Sequence, residues 1–392
     1  MQSLKLFVTS RQHTPHAART PSARRLPSRP NEMRCVAVIS WFATAVSATV
    51  TSTTHPHVQP ALLRLPQDSI TLGLPLAAGA FGVVHHARGP EGQPYVAKRA
   101  ARNKANAEAY LHVEAAINSK LRVSAPGSAY LAPFLGVASI GWVDHLIFAA
   151  CPGVKHTLDW YLDSQTPRKG ELAHALGLAP SDNEGVDLKR LAERLLKEML
   201  SGLVLLHRAG VVHRDIKPEN WLVDAQTHSL RLIDLGSACS LDDDAYLQQI
   251  SMPITSVWAP PELCLTPASP WAFDVYSTAL VFLRSLCSSS HEFESLRTEL
   301  MGTPAMPLSR WMAQHHPDSS EDPLIWRLVG GMLAADPKDR VAPAEVLCSS
   351  LAAGWCAEDA AADTLPATLA SCEDDFSCRL PFDDDDLCVI GV

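Results

Sequence analysis

An eight-residue run, His213-Arg214-Asp215-Ile216-Lys217-Pro218-Glu219-Asn220, constrains this chain more than any other feature. A second acidic residue follows fourteen positions after Asn220, in the tripeptide Asp234-Leu235-Gly236. Two short apolar runs lie between them, at 221–223 and 230–233, and they predict a pair of strands joined by a turn. We expect this hairpin to return the chain so that Asp234 faces Asn220.

The side chains that meet in this way suit the transfer of a phosphate group. The Asp215 carboxylate can accept a hydrogen bond from a hydroxyl group and orient it for attack. The Lys217 ammonium can stabilise negative charge that develops during the transfer. The Asn220 amide and the Asp234 carboxylate supply oxygen ligands, which Mg²⁺ prefers. We therefore assign Asp215, Lys217 and Asn220 as catalytic, with Asn220 and Asp234 as metal ligands.

A second constellation lies upstream. The segment 74–84 reads as strand, turn and strand, with Gly79 and Gly82 in the turn. Fourteen residues after Val84, an apolar strand ends in Lys98. A helical pattern over 105–121 then offers two acidic residues, Glu108 and Glu114. Of these two, Glu114 is the preferred candidate for a functional carboxylate, because Ile117 and Leu121 follow it at helical spacing and form an apolar stripe beside it.

Together these residues resemble the fingerprints of the eukaryotic-type serine/threonine protein kinases, in their usual order. The resemblance implies an α+β, bilobal protein kinase fold with a small β-rich N-lobe over 66–150 and a larger helical C-lobe over 151–351. It implies ATP and Mg²⁺ as cofactors and the hydroxyl groups of protein substrates as acceptors. The lysine two residues after Asp215 is typical of the serine/threonine-directed members. The implied nucleotide-binding residues are Leu76, Gly79, Gly82, Val84, Lys98, Glu114 and Asp234.

Among the positions that depart from the family pattern, two bear on backbone strain and on packing. Ala77 stands where the first glycine of the phosphate-covering loop is expected, and it would be strained if its φ had to be positive. Trp221 is bulkier than the aliphatic residue usual at its position, so we expect the packing around it to adjust.

The resemblance also implies several supporting contacts. Glu262, in Pro260-Pro261-Glu262, should form a buried ion pair with Arg340, and Asp274 should accept backbone N–H groups of the catalytic loop. Arg214 should bind an acidic or phosphorylated activation segment, for which the run Asp242-Asp243-Asp244 is a candidate. Thr255 is expected to hydrogen-bond near Asp215 and Lys217.

The two ends of the chain have opposite charge. Residues 1–60 contain seven Lys or Arg residues and one Glu among many hydroxyl-bearing residues, a composition typical of an organelle transit peptide. An ordinary disordered tail is the alternative. The run 35–50 is uncharged but too short for a membrane span of about 20 residues. Residues 357–392 are strongly acidic, and we expect a disordered tail there. Residues 165–185 are rich in Pro, Gly and polar residues, which predicts a surface insertion.

Composition limits the remaining alternatives. A net charge of −9 argues against nucleic acid as the main partner. The ten cysteines include no Cys-x-x-Cys pair, which argues against a zinc site or a disulfide framework. A catalytically inactive scaffold and a small-molecule phosphotransferase are the competing functions. The basic leader and the Pro-Pro-Glu sequence are similar to those of chloroplast thylakoid kinases, so we expect a chloroplast location, with the cytoplasm as the alternative. The sequence leaves membrane association and oligomeric state open.

Overall fold

The described part of the chain has a β-rich first half and a mainly helical second half. Apolar residues recur at strand spacing in the first half and at helical spacing in the second. The structure is a computed structural model. It describes residues 62–66, 70–79, 82–102, 104–163, 168–178, 187–242, 257–302, 308, 311 and 323–347. The expected leader at 1–60 and the expected acidic tail at 357–392 lie outside these residues.

The first half is a five-stranded antiparallel sheet with one helix against it. The strands are β1 (Thr71–Ala78), β2 (Gly82–Arg88), β3 (Pro94–Ala100), β4 (Phe134–Ile140) and β5 (Val143–Ala149), in the order β1-β2-β3-β5-β4. Side chains alternate across the sheet. Ile147 therefore packs with Ala97 on one face, while Leu146 packs on the other face with Leu111 and Ala115 of helix α1 (Ala107–Ser124).

The second half is built around two helices whose apolar residues make one large core. Its elements are β6 (Val154–Thr157), α2 (Leu158–Tyr161), α3 (Lys169–Ala175), α4 (Leu188–Arg208), β7 (Val211–Val212), β8 (Trp221–Asp224), β9 (Ser229–Leu232), β10 (Cys239–Ser240), α5 (Ala272–Leu286), α6 (Ser290–Gly302), α7 (Pro323–Met332) and α8 (Pro343–Leu347). Helix α4 buries Leu195, Met199 and Leu203 completely, as its spacing predicts. Every residue of α5 is buried, which its apolar sequence required. The bilobal α+β prediction is confirmed.

Trp221 fits into this core because a glycine faces it. The Trp221 side chain is fully buried at the start of β8. A Cβ atom on Gly202 of α4 would lie 3.1 Å from Cη2 and 3.3 Å from Cζ3 of the indole ring. The packing adjustment expected for this bulky residue is therefore a small residue on the neighbouring helix.

The prediction of a surface insertion at 165–185 is wrong for its described part, residues 168–178. Helix α3 lies there, and Leu172 and Leu176 are 0 % and 2 % exposed in the main core. These leucines are four residues apart, so they share one face of a helical turn, and the surrounding polar residues hide this pattern. Within the described residues, none of the helices combines the length and the apolar character that a membrane crossing needs.

Candidate active site

Lys98 joins the sheet, the helix of the first half and the Asp-Leu-Gly turn at one point. Its Nζ donates to Oε1 and Oε2 of Glu114 at 2.8 and 2.7 Å, and to Oδ1 of Asp234 at 2.7 Å. Glu114 in turn accepts the backbone N–H of Leu235. Glu108, the alternative acid on α1, is exposed. The preference for Glu114 therefore agrees with the geometry, since its carboxylate is the one that meets Lys98.

The backbone at Asp234 directs its side chain into this cluster. Asp234 has a φ of +61°, in the left-handed region, and its Oδ1 also accepts the N–H of Gly236 at 3.3 Å. A Cβ atom at position 236 would lie 3.1 Å from that same oxygen and 3.5 Å from Oε2 of Glu114. Glycine at 236 thus leaves room for the two carboxylates to meet beside Lys98.

The eight-residue loop brings Asp215, Lys217 and Asn220 together. Nζ of Lys217 lies 2.5 Å from Oδ2 of Asp215. Nδ2 of Asn220 donates to the backbone oxygen of Asp215 at 2.8 Å and to its Oδ2 at 3.3 Å. Asn220 therefore uses its amide N–H group on Asp215 and keeps its amide oxygen for another partner.

The hairpin of β8 and β9 brings Asp234 back beside this loop, as expected from the sequence. The backbone N–H of Ile233 donates to the backbone oxygen of Asn220 at 2.9 Å. On the same residue, the Ile233 oxygen lies 3.1 Å from Nε2 of His213. Both ends of the loop are therefore bonded to the residue that immediately precedes Asp234.

Asp274 holds the backbone of the loop through two hydrogen bonds, as the resemblance implied. Its two carboxylate oxygens accept the backbone N–H groups of His213 and Arg214, each at 2.8 Å. Burial alone would raise the pKa of Asp274, but the hydrogen bond from His207, at 3.0 Å, and the charges around it hold the pKa below its ordinary value. The sequence reasoning missed His207. The signal was a polar residue four positions after Leu203 on an otherwise apolar stripe.

The pKa values of the two acids that contact Lys98 are shifted in opposite directions. Burial raises the pKa of Glu114 to about 7, although Lys98 and the Leu235 N–H group oppose that change. Burial acts in the same direction on Asp234, but there the charge and hydrogen bond of Lys98 prevail and lower the pKa. Burial likewise acts to lower the pKa of Lys98, and its two carboxylate partners outweigh it, so that the pKa is raised. Near neutral pH, Lys98 and Asp234 are thus both charged, while Glu114 changes between its neutral and its charged form.

Two residues that follow the glycine-containing turn, Gly82 and Val84, lie beside Lys98. Val84 is directly opposite Lys98 in the pairing of β2 with β3, and a Cβ atom on Gly82 would meet Cε of Lys98 at 3.1 Å. Leu76 lies next to a register shift in β1, and the N–H of Gly79 donates to the oxygen of Gly82 at 2.8 Å. Ala77 pairs with Val84 in β1 and does not have a positive φ, so alanine causes no backbone strain there.

The described start of the activation segment, residues 237–242, contacts two basic side chains. Arg214 donates from Nε to the backbone oxygen of Ser237 at 2.5 Å, whereas the carboxylate of Asp242 lies 2.6 Å from Nζ of Lys120. Asp243, Asp244 and Thr255 lie outside the described residues. The ion pair expected at the end of the segment is present. Arg340, whose side chain is fully buried, contacts the two carboxylate oxygens of Glu262 at 2.6 and 2.8 Å.

The available oxygen atoms fit a hard divalent cation. The amide oxygen of Asn220 and Oδ2 of Asp234 accept no hydrogen bond within the described residues, and the Asp234 side chain is 47 % exposed. In the same residues, no cluster of three or more His, Cys, Asp or Glu side chains forms a complete metal cage. Mg²⁺ suits such a sparse site because it is usually held by one or two protein ligands together with substrate phosphates.

An open groove of about 580 Å³ lies in the helical half of the molecule. Its walls come from α2, from Val257 and Trp258 near the end of the activation segment, and from α6, with Trp160 and Phe293 as further apolar surfaces. Asp159, Asp163 and Glu294 bring negative charge to it, and Arg284 and Arg297 bring positive charge.

Comparison with known proteins decides the family. The sequence model described as "Protein kinase domain" matches residues 74–352, well over half of the chain. The chain belongs to the protein kinase family. Members of this family use ATP with Mg²⁺ and act on protein substrates. The Lys98–Glu114–Asp234 cluster and the loop from His213 to Asn220 are therefore the residues of this kinase domain that match the family's fingerprints.

Individual relatives are more distant. The chain is 38 % identical over 91 residues to the serine/threonine-protein kinase pim-2 of Danio rerio, covering 22 % of this chain and 28 % of that protein. It is 25 % identical over 264 residues to the chloroplastic serine/threonine-protein kinase STN7 of Arabidopsis thaliana, covering 59 % and 44 %. The chain thus spans about half or less of the length of the curated relatives it matches.

A solved structure has the same fold. An Stt7 homolog from Micromonas algae, soaked with ATP, matches with a TM-score of 0.59 at 21 % identity, over 78 % of this chain and 97 % of the other. At this identity the likeness concerns the fold of the chain, and the chemistry has to be argued from the residues themselves.

Proposed function

We propose that this kinase domain transfers the γ-phosphate of ATP to serine and threonine hydroxyl groups of proteins. The observation that carries the proposal is the assembled Lys98–Glu114–Asp234 cluster, in which one ammonium group contacts both carboxylates within 2.8 Å. An inactive scaffold has no need for this arrangement, because it positions charge for phosphate.

Each residue of the loop has a proposed role that its contacts support. Asp215 orients the attacking hydroxyl and accepts its proton, for which its partly exposed carboxylate is available at the loop surface. Lys217 holds positive charge against Oδ2 of Asp215, where negative charge on a transferring phosphoryl group would develop. The lysine at this position supports serine and threonine as acceptors.

Nucleotide and metal binding are proposed for the residues on the other side of the cleft. Asn220 and Asp234 would hold Mg²⁺ through their unpaired oxygens, and Lys98 would bind the phosphates. Bound Mg²⁺·ATP supplies the phosphoryl group and neutralises charge on it. Leu76, Gly79, Gly82 and Val84 would cover the nucleotide from above, where Gly82 and Val84 already lie against Lys98.

Two substitutions test the activity. We expect Asp215→Asn to lower the rate of phosphate transfer from Mg²⁺·ATP to a generic basic protein by about 10²- to 10⁴-fold, because the proton acceptor is lost. Lys98→Met removes a charge aimed at the phosphates and should cost about 10²- to 10³-fold. The matched controls are Asp339→Asn and Lys338→Met, both on exposed residues, and both should keep wild-type rates.

The scaffold alternative gives a different result. Tight binding of nucleotide by the wild-type chain without any transfer to protein would favour it. Transfer to a small hydroxylated metabolite, with none to protein, would favour the small-molecule phosphotransferase. Circular dichroism of both variants establishes whether the fold survives, so that a loss of rate can be assigned to chemistry.

We also propose that residues 1–60 direct the protein to the chloroplast and precede a kinase domain over 66–351 and an acidic tail over 357–392. The Arg-rich, acid-poor composition of the first segment and the name of the relative STN7, "chloroplastic", support this location. Microscopy of a fluorescent fusion that carries residues 1–60 tests it. A diffuse cytosolic signal would favour the cytoplasm and eliminate the transit peptide.

A further inference from the structure

Lys120 connects helix α1 to the segment that follows the Asp-Leu-Gly turn. Its Nζ lies 2.9 Å from Oγ of Ser240 and 2.6 Å from Oδ2 of Asp242. We propose that Lys120 is a positioning residue, which holds α1 against this segment and thereby keeps Glu114 at Lys98. The proposal rests on the proposed kinase function, because its consequence is the alignment of the phosphate-binding lysine.

The geometry gives α1 two attachments to the same segment. Glu114 accepts the N–H of Leu235, at the start of the segment. Lys120 is six residues further along the helix, a rise of about 9 Å. There it meets Ser240 and Asp242, at the end of the described part of the segment. Helix α1 already packs against the sheet through Leu111 and in the main core through Leu121. The second attachment to the segment restricts its rotation further than Glu114 alone does.

The far end of this attachment is itself fixed on the second half of the molecule. Cys239 and Ser240 pair with Val212 and Val211 as a two-stranded ladder, and the N–H of Leu241 donates to the oxygen of Gly210 at 2.7 Å. Gly210 has a φ of +64°, and a Cβ atom there would lie 3.1 Å from Oδ1 of Asp242 and 3.4 Å from Nζ of Lys120. Glycine at 210 therefore leaves the space in which Lys120 and Asp242 meet.

The ion pair between Lys120 and Asp242 is weak enough for helix α1 to separate from the segment. The side chain of Asp242 is 72 % exposed and that of Lys120 is 23 % exposed, so water and salt weaken their attraction. Exposed pairs of this kind contribute little to global stability. A contact of this size can still shift the balance between an aligned and a pivoted helix several-fold.

The test is Lys120→Met in the full chain. We expect kcat/KM for ATP to fall by about three- to tenfold, with most of the change in KM, while the midpoint of urea unfolding stays close to that of the wild type. Lys120→Arg keeps the charge and should restore most of the loss. The matched control is Arg122→Met, two residues along the same helix, where the side chain is exposed and makes no hydrogen bond or ion pair within the described residues.

Hydrogen exchange of the α1 amides in the absence of nucleotide gives a readout that does not need activity. The proposal requires faster exchange over 107–124 in Lys120→Met than in Arg122→Met, and the same increase in wild-type protein at about 1 M salt, where screening is strong. Unchanged exchange, or an equal fall in urea midpoint and activity, would overturn it and leave Lys120 a structural residue. If no variant phosphorylates protein but exchange still increases, the proposed function fails while the attachment stands.

Discussion

Glu114 is the residue whose protonation near neutral pH changes how firmly Lys98 is held, since Asp234 stays charged beside Lys98. The ordinary pKa of a glutamate is near 4.5, and burial raises that of Glu114 to about 7. Below this pH the carboxyl is neutral and attracts Lys98 weakly, and above it the ion pair is complete. We therefore predict that kcat/KM for ATP rises with pH through an apparent pKa near 7, by about tenfold between pH 6 and pH 8.

The comparison that isolates this effect is Glu114→Gln, which keeps the shape of the side chain but cannot titrate. We expect the variant to be less active at pH 8 and to lose most of the rise between pH 6 and pH 8. The measurement is a pH profile of kcat/KM for ATP at constant ionic strength. A wild-type profile that is flat over this range, or a rise that persists unchanged in Glu114→Gln, would contradict the assignment.

Most of the residues proposed for the site could be predicted from the sequence because each has a chemical identity that its spacing makes recognisable. Lys98, Asp215, Asn220 and Asp234 are of this kind. The contact of Lys120 could not be predicted, since nothing near it in the sequence marks its partner 122 residues away. The position of His207 on an apolar stripe indicates burial, but it does not identify Asp274, 67 residues away, as the partner. The choice of Glu114 over Glu108 needed a pattern of neighbours, and the resulting prediction agrees with the structure.

At the scale of elements, Trp221 and Gly202 form a large–small pair between β8 and α4. Trp221→Leu should lower the free energy of unfolding by about 3 kcal/mol, because it leaves a cavity beside Gly202. Gly202→Ala should destabilise the wild type by about 1 kcal/mol, since the new Cβ would be only 3.1 Å from the ring. In the Trp221→Leu background the same change should be neutral or stabilising, by up to about 1 kcal/mol, because alanine favours the helix and fills space.

A double-mutant cycle by urea unfolding measures this coupling. The control is Gly330→Ala in helix α7, where a Cβ would meet nothing within 4 Å. We expect this substitution to be stabilising or neutral in both backgrounds. If Gly202→Ala had the same effect with tryptophan as with leucine at position 221, the two residues would not be packed as a pair.

Elements with a strong period could be predicted from the sequence, while those with a mixed composition could not. The hairpin of β8 and β9 and the buried helices α4 and α5 follow from their apolar spacing. Helix α3 is the counterexample, because its Leu172 and Leu176 face the main core within a stretch whose Pro and Gly content indicates a loop. Its burial depends on residues far away in the sequence, which no local pattern reports.

Across the whole molecule, one buried ion pair joins the end of the activation segment to the last part of the described helical half. Arg340 contacts both oxygens of Glu262, donates to the oxygens of Ala334 and Ala272 at 2.9 and 3.0 Å, and lies over the ring of Tyr276. The guanidinium of Arg340 therefore links three separate segments, which contain Glu262, Ala272 and Ala334. Arg340→Met leaves Glu262 and two carbonyl groups without their donor, and we predict a loss of about 3–5 kcal/mol in the free energy of unfolding.

Glu262→Gln tests whether the charge or the hydrogen bonding of this pair matters more. The amide can still accept one bond from Arg340, and the carbonyl partners remain, so we expect a smaller loss of about 1–2 kcal/mol. Urea unfolding of both variants beside Lys338→Met, an exposed neighbour, measures the difference. Because the pair anchors the segment that leads away from the active site, both variants should also reduce phosphate transfer under conditions where they are still folded. An Arg340→Met protein within about 0.5 kcal/mol of the wild type would behave like a surface variant and would show that the three segments are held by their apolar packing instead.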